Sequence, residues 1–227
     1  MVVITEYDAS WPVLFEEEAQ RLRAVLGSSA LRIEHVGSTS IPGLAAKPVI
    51  DIQVSVASLA PHGRYVDAMA TLGYRHVAFG DFDLVYPFFH KPIAWPSTHH
   101  VHLCESGGEQ EWQHLAFRNH LRAHPQVAAQ YEALKRELAR THDANTPHSM
   151  EAYSLAKSEF VANVLRAIFD QFAKQKVTGA VIDLRRTADG DLETGIAAAR
   201  LFVKSGTIGI RARRKTEKVA TTPAPGD

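Results

Sequence analysis

The sequence predicts an α+β domain, and three observations predict it. A cleanly alternating strand occupies 49–56, four more short strand-like runs fall between residues 31 and 105, and three helical patterns follow one another from residue 109. Strands that interleave with helices and then give way to helices alone describe a sheet covered by packed helices.

The elements follow in order. Ser10 ahead of Trp11-Pro12 is a plausible helix start, because proline is tolerated in the first turn. Phe15, Ala19, Leu22 and Leu26 then make one apolar stripe, and Gly27 ends the helix. Residues 31–36 read as a strand, and 37–48 as a loop carrying two glycines and two prolines. In 49–56, Ile50, Ile52, Val54 and Val56 share one face, while Asp51, Gln53 and Ser55 share the other. That is a half-buried strand with a polar face. A helix is expected over 61–72, stopped by Gly73, with strands at 74–79, 83–91 and 99–105 after it. One helix begins near Glu109, a second at Pro125 with Val127, Tyr131, Leu134 and Leu138 inward. Ser149 is expected to cap a third, whose inward face carries Tyr153, Ala156, Phe160 and Val164.

Charge divides the chain in two. Of 227 residues, 25 are Lys or Arg and 25 are Asp or Glu, so the formal net charge is zero. Residues 1–173 hold 14 basic and 19 acidic side chains, whereas 174–227 hold 11 basic and 6 acidic. All twelve histidines lie between His35 and His148. An acidic folded domain argues against nucleic acid as a partner. The single Cys104 excludes an internal disulfide, and no run approaches the roughly 20 apolar residues needed to cross a bilayer. No signal peptide is visible in MVVITEYDASWP, so a soluble cytoplasmic protein is expected.

The chemistry concentrates in Glu34-His35-Val36-Gly37-Ser38-Thr39-Ser40, followed by Lys47 and Asp51. Gly37 permits positive φ and close approach of a ligand. Ser38, Thr39 and Ser40 offer hydroxyls and backbone N–H groups to phosphate oxygens, and Lys47 offers a cation. Asp51, on the polar strand face, suits a hard cation such as Mg²⁺. The glycine spacing is not that of a P-loop. His100 and His102 share one face of the strand at 99–105; beside Asp51 they could bind a metal or, protonated, a phosphate. His62, His76, His114, His120, His124, His142 and His148 read as surface or cap residues.

The run EHVGSTSIPGLAAKPVIDIQV closely resembles the GrpB family, as do WPVLFEEEAQRL, THHVHL, HLAFRNHLRAHP and EAYSLAKSEF, together covering about residues 3–170. The resemblance implies a nucleotidyltransferase-like, DNA polymerase beta-type fold: a mixed sheet with packed helices. In that superfamily a Gly-Ser loop precedes a strand with two alternating carboxylates, which hold metal ions that align a nucleoside triphosphate. Gly37-Ser38 matches the loop and Asp51 the first carboxylate. His102 could stand where the superfamily keeps its third, making Asp51 and His102 the catalytic candidates. Arg118 matches a family position from which it could approach phosphate, and Lys157 on the last helix is similar, although a structural ion pair is the preferred role for both. The second carboxylate position holds Gln53, a neutral amide that cannot offset metal charge. The resemblance thus implies a nucleotide or phosphorylated small molecule as ligand, with Mg²⁺ as cofactor. Transfer, binding without catalysis, and a hydrolase using metal held by His100, His102 and Asp51 all remain open.

Residues 177–215 resemble a fragment of the carboxyl-terminal processing peptidases. Asp183-Leu184-Arg185 and Gly206-Thr207-Ile208 match, with Thr187-Ala188-Asp189-Gly190 at the turn. The resemblance implies a small β-α-β appendage, a strand at 179–184 and a helix at 191–203. That family's Ser nucleophile and Lys base would lie beyond the matched segment, so no peptidase activity is expected. The expected organisation is therefore 1–173 as the GrpB-like domain, 174–215 as the appendage and 216–227 as a disordered tail.

Overall fold

The computed structural model describes residues 2–78, 86–94, 96–142 and 146–174. The appendage and tail expected beyond 174, and the outer parts of the strands expected at 74–79 and 83–91, lie outside the described residues. The elements run α1 (Trp11–Leu26), β1 (Arg32–Val36), β2 (Ile50–Val56), α2 (Gly63–Ala70), β3 (Arg75–Val77), β4 (Phe88–Lys91), β5 (His99–Glu105), α3 (Glu109–Ala123), α4 (Pro125–Leu138), α5 (Pro147–Leu155) and α6 (Ser158–Lys174). A mixed α+β architecture is thus observed.

The five strands form one sheet in the order β1-β2-β5-β4-β3. Only β2 and β5 pair in parallel; the other neighbours are antiparallel. The alternation of β2 sends Ile50, Ile52, Val54 and Val56 into a core with Ala19, Leu22 and Leu26 of α1 and Tyr65 and Met69 of α2. The stripe read from α1 is the stripe it buries. The other face of β2 departs from the expectation of a half-buried strand. Gln53 and Ser55 are fully buried, and of the three polar residues only Asp51 keeps some exposure. Polar alternation marks a solvated face or a covered polar site equally well, and here the face is covered.

The helices beyond the sheet build a second core from Ile41, Leu44, Leu121, Tyr131, Val164, Leu165 and Ile168. A third, smaller cluster joins Val2, Phe88, Ala139, Met150 and Tyr153. The single helix expected from Ser149 is two helices, because the chain turns at Ala156 and Lys157. Thr146 is the cap, and Ser149 completes a reciprocal capping box with it. The break puts Tyr153 on α5, with Phe160 and Val164 on α6.

A buried carboxylate ties α1 to the far edge of the sheet. Glu18 is 1% exposed and accepts from Lys91 Nζ at 2.6 Å, Tyr74 Oη at 2.9 Å and Arg21 Nη1 at 3.3 Å. Burial alone would raise its pKa, but Lys91 and Tyr74 outweigh that and hold it below the usual range. Lys91→Met leaves this buried charge with only the largely exposed Arg21 as a cation. The expected loss is about 3 kcal/mol, read as a lower urea midpoint at unchanged m-value.

Candidate functional site

Register assembles the site. In the parallel pair, Asp51 lies opposite His100 and Gln53 opposite His102, so both imidazoles share the polar face of β2. On the other side Val36 pairs with Asp51, which places the turn after β1 beside the carboxylate. Gly37 has φ 66°, and a Cβ there would sit 2.8 Å from Asp51 Cβ and Cγ and closer still to Oδ2. Both the backbone conformation and the approach to Asp51 therefore require glycine.

The turn at Ser38–Ser40 is held from several directions. Thr39 Oγ1 donates to the Val49 carbonyl at 3.0 Å and lies 3.0 Å from His35 Nε2. Ser40 Oγ donates to the Gly37 carbonyl at 2.6 Å, and Arg122 donates to the Ser40 carbonyl at 2.6 and 3.1 Å. Arg118 pairs with Glu34 at 2.7 Å and donates to the His35 carbonyl at 2.9 Å. Further along the loop, α4 grips Ala45 by both backbone groups. Glu132 accepts its N–H at 3.0 Å and Lys135 donates to its carbonyl at 2.5 Å.

Asp51 carries the negative charge of the site. Its side chain is 25% exposed, with His100 Nδ1 3.0 Å and His102 Nε2 3.8 Å from Oδ1. Burial opposes its ionisation, but the imidazole hydrogen bonds prevail and hold its carboxyl well below the usual range. Burial lowers His100 to about 4, so near neutral pH it is an uncharged ring whose Nδ1–H donates to the carboxylate. Burial likewise lowers His35 to about 4 and His114 to about 3.

A neutral hydrogen-bond chain runs alongside. Tyr86 Oη lies 2.6 Å from His114 Nε2, and His114 Nδ1 lies 2.9 Å from Gln53 Oε1. Burial keeps the Tyr86 hydroxyl protonated, so it donates to Nε2 while Nδ1–H donates to Gln53. The Gln53 amide nitrogen is buried without a partner among the described residues.

Cations surround the carboxylate. Lys47 and Lys157, both half-buried, act electrostatically on Asp51, and neither forms a salt bridge among the described residues. Burial lowers Lys47, brings Lys157 to about 8 and brings Lys135 to about 7. Burial raises the Tyr131 hydroxyl well above its ordinary range, so it stays protonated.

Of the residues expected at the site, the structure gathers Gly37, Ser38, Lys47, Asp51, His100 and His102. The hydroxyls of Thr39 and Ser40 are committed to the loop's own backbone, and Arg118 takes the structural ion pair. His114 is a correction: expected at the surface or a cap, it is half-buried against β2, where it bonds to Gln53 and Tyr86. Lys157, expected to resemble Arg118, makes no ion pair among the described residues; Tyr86 and Lys135 also belong to the site. His114 stands four residues before Arg118, on the same helix face, and that spacing was the available signal. Among the described residues, no group of three or more His, Cys, Asp and Glu side chains is arranged to hold a metal ion. Asp51 is the one carboxylate present on that strand face, and Oδ1 already accepts from imidazole.

Fold and site together define a small α+β domain with a partly exposed polar centre of one carboxylate, imidazoles and lysines. The GrpB protein family model matches residues 1–167, and the chain belongs to the GrpB family. UPF0157 protein YqkA of Bacillus subtilis is 37% identical over 160 residues, covering 70% of this chain and 45% of that protein. This chain therefore spans less than half the length of that relative. UPF0157 protein BH1888 of Halalkalibacterium halodurans is 37% identical over 167 residues, covering 73% of this chain and 81% of its own. The crystal structure of conserved protein GrpB from Enterococcus faecalis superposes with a TM-score of 0.63 at 37% identity, over 75% of this chain and 99% of that one. A peptidase family S41 model also matches residues 153–225, overlapping the end of the GrpB match. No described helix is long and apolar enough to cross a membrane.

Two outcomes follow from the geometry. Gly37→Ala forces the turn off Asp51 and costs roughly 2–4 kcal/mol, with the shift of the His100 ring resonances reporting the lost contact. His35, His100 and His114 stay neutral when folded but protonate near 6.5 when unfolded. Stability is therefore full above that value, falls as pH drops below it, and stops falling as the folded values near 4 and 3 are passed. The slope is at most about 1.4 kcal/mol per pH unit for each histidine. Urea titrations at stepped pH read it, and His35→Gln makes it shallower.

Proposed function

We propose that this domain binds a phosphorylated small molecule, of which a nucleotide is one form, at Gly37–Ser38, Lys47, Lys157 and Asp51. The observation that carries the reading is the pair of half-buried lysines that form no salt bridge among the described residues, with Asp51 acting on both only at longer range. Burying an ammonium group is costly unless an anion offsets it, and a phosphate dianion is the group whose charge and oxygen count match two lysines and a turn. Asp51 sets the limit: its negative charge orients the lysines and repels an over-charged ligand.

Binding without transfer is the form we favour. Gln53 stands where a second metal-holding carboxylate would be required, and its carbonyl oxygen is occupied by His114. Mg²⁺-dependent nucleotidyl transfer is the second reading, supported by the exposed quarter of Asp51, which could hold one ion. The segment beyond 174 is proposed to be a displaced, non-catalytic peptidase-like fragment, and the protein to work in the cytoplasm.

Calorimetric titration of the full chain with inorganic phosphate, AMP and ATP, each with and without Mg²⁺, separates these readings. The expected result is phosphate and AMP binding without Mg²⁺, weakened about tenfold or more in Lys47→Gln through loss of a charge-assisted contact worth 1.5–3 kcal/mol. Binding only with Mg²⁺, abolished in Asp51→Asn, establishes the metal-dependent reading instead. No binding under any condition overturns the phosphate reading.

A further inference from the structure

The end of α3 carries a pair of side chains that the Asp51 centre does not use. His120 and His124 stand four residues apart, and their rings lie face to face, 3.9 Å between centroids and 18° from parallel. Residues so spaced share one helix face. Pro125 disfavours helical backbone for the residue before it, and His124 takes φ −128° and ψ 81°. The helix therefore stops at Ala123, and the His124 ring folds back over the last turn, with Nδ1 2.8 Å from the His120 carbonyl. A carbonyl oxygen only accepts, so Nδ1 carries the proton and Nε2 keeps its lone pair. Metal-binding histidines are oriented by a hydrogen bond of this kind from the nitrogen that does not bind the metal.

The His120 ring nitrogens have no hydrogen-bond partner among the described residues. His120 also lines a cavity of about 570 Å³ between α3 and α6, with Trp112, Asn119 and Gln171, so a small ion can reach it. Arg122, between the two histidines in sequence, is turned away onto the Ser40 carbonyl and does not crowd them. The C-terminal end of a helix favours a cation. Burial and the neighbouring His124 lower the pKa of His120, which keeps its ring unprotonated near neutral pH. Imidazole nitrogens suit transition cations, whereas Mg²⁺ and Ca²⁺ require oxygen ligands.

We infer that His120 and His124 form a two-histidine chelate for a divalent transition cation such as Ni²⁺, Cu²⁺ or Zn²⁺, separate from the Asp51 centre. His124 binds through Nε2 and His120 through a ring nitrogen. Water fills the remaining positions, because no third His, Cys, Asp or Glu side chain joins the pair among the described residues. Phosphate plays no part in the site.

The test is calorimetric titration of the full chain with Ni²⁺ near neutral pH, repeated on His120→Gln, His124→Gln and, at the other histidine cluster, His102→Gln. One tight site per chain is expected. Each helix variant weakens it on the order of a hundredfold, the gain that joining two ligands on one frame supplies, while His102→Gln leaves it unchanged. In NMR spectra of the wild type, Ni²⁺ below one equivalent broadens the ring signals of His120 and His124 before those of the other histidines, a readout that stands even if a variant fails to fold. Equal affinity in wild type and both helix variants overturns the inference. So does loss of the site in His102→Gln alone, or broadening spread evenly over the histidines.

Discussion

The ionised carboxylate of Asp51, set against Gly37 and satisfied by His100, is the constraint on which the rest of the site depends. A charge inside a protein persists only if its hydrogen-bonding capacity is met. Here the β2–β5 register meets it, because the residue directly opposite Asp51 is a histidine whose ring is neutral and can donate. The same carboxylate explains the glycine. The turn after β1 passes so close that any side chain would displace Asp51 or the strand that carries it. Lys47 and Lys157 act on the carboxylate without closing onto it as salt bridges.

A second level of organisation keeps these groups in place. Arg118 and Arg122 on α3 tie down the end of β1 and the turn, while Tyr86 and His114 fix the Gln53 amide by an uncharged chain. None of these groups needs to touch a ligand to matter. Each removes a freedom that would otherwise blur the distance between the turn and the carboxylate. The Glu18 cluster does the same for the opposite face, where it anchors α1 across the sheet.

Much of this was legible in the sequence, and the parts that were not have physical reasons. Period-two alternation in 49–56 and 99–105 identified the strands and put Asp51, His100 and His102 on shared faces. It could not say whether the polar face was wet, since Gln53 and Ser55 read alike as surface or as covered centre. The reading of α3 followed its large apolar residues, and His114 fell between them, so its burial beneath β2 was missed. Lys157 depends on a helix break at Ala156. The apolar spacing from Tyr153 to Val164 runs straight through that break and so hides it. Arg118 shows the reverse: its sequence position allows either a phosphate contact or an ion pair, and the fold adopts the ion pair with Glu34.

The grip of α4 on Ala45 has a mechanical consequence. Held by its amide to Glu132 and by its carbonyl to Lys135, this residue cannot swing outward unless a helix that also contributes Tyr131 to the second core moves with it. The loop between the turn and β2 is thus a fixed jaw. Its ordering is completed during folding, so a ligand meets a surface that loses little further entropy on contact.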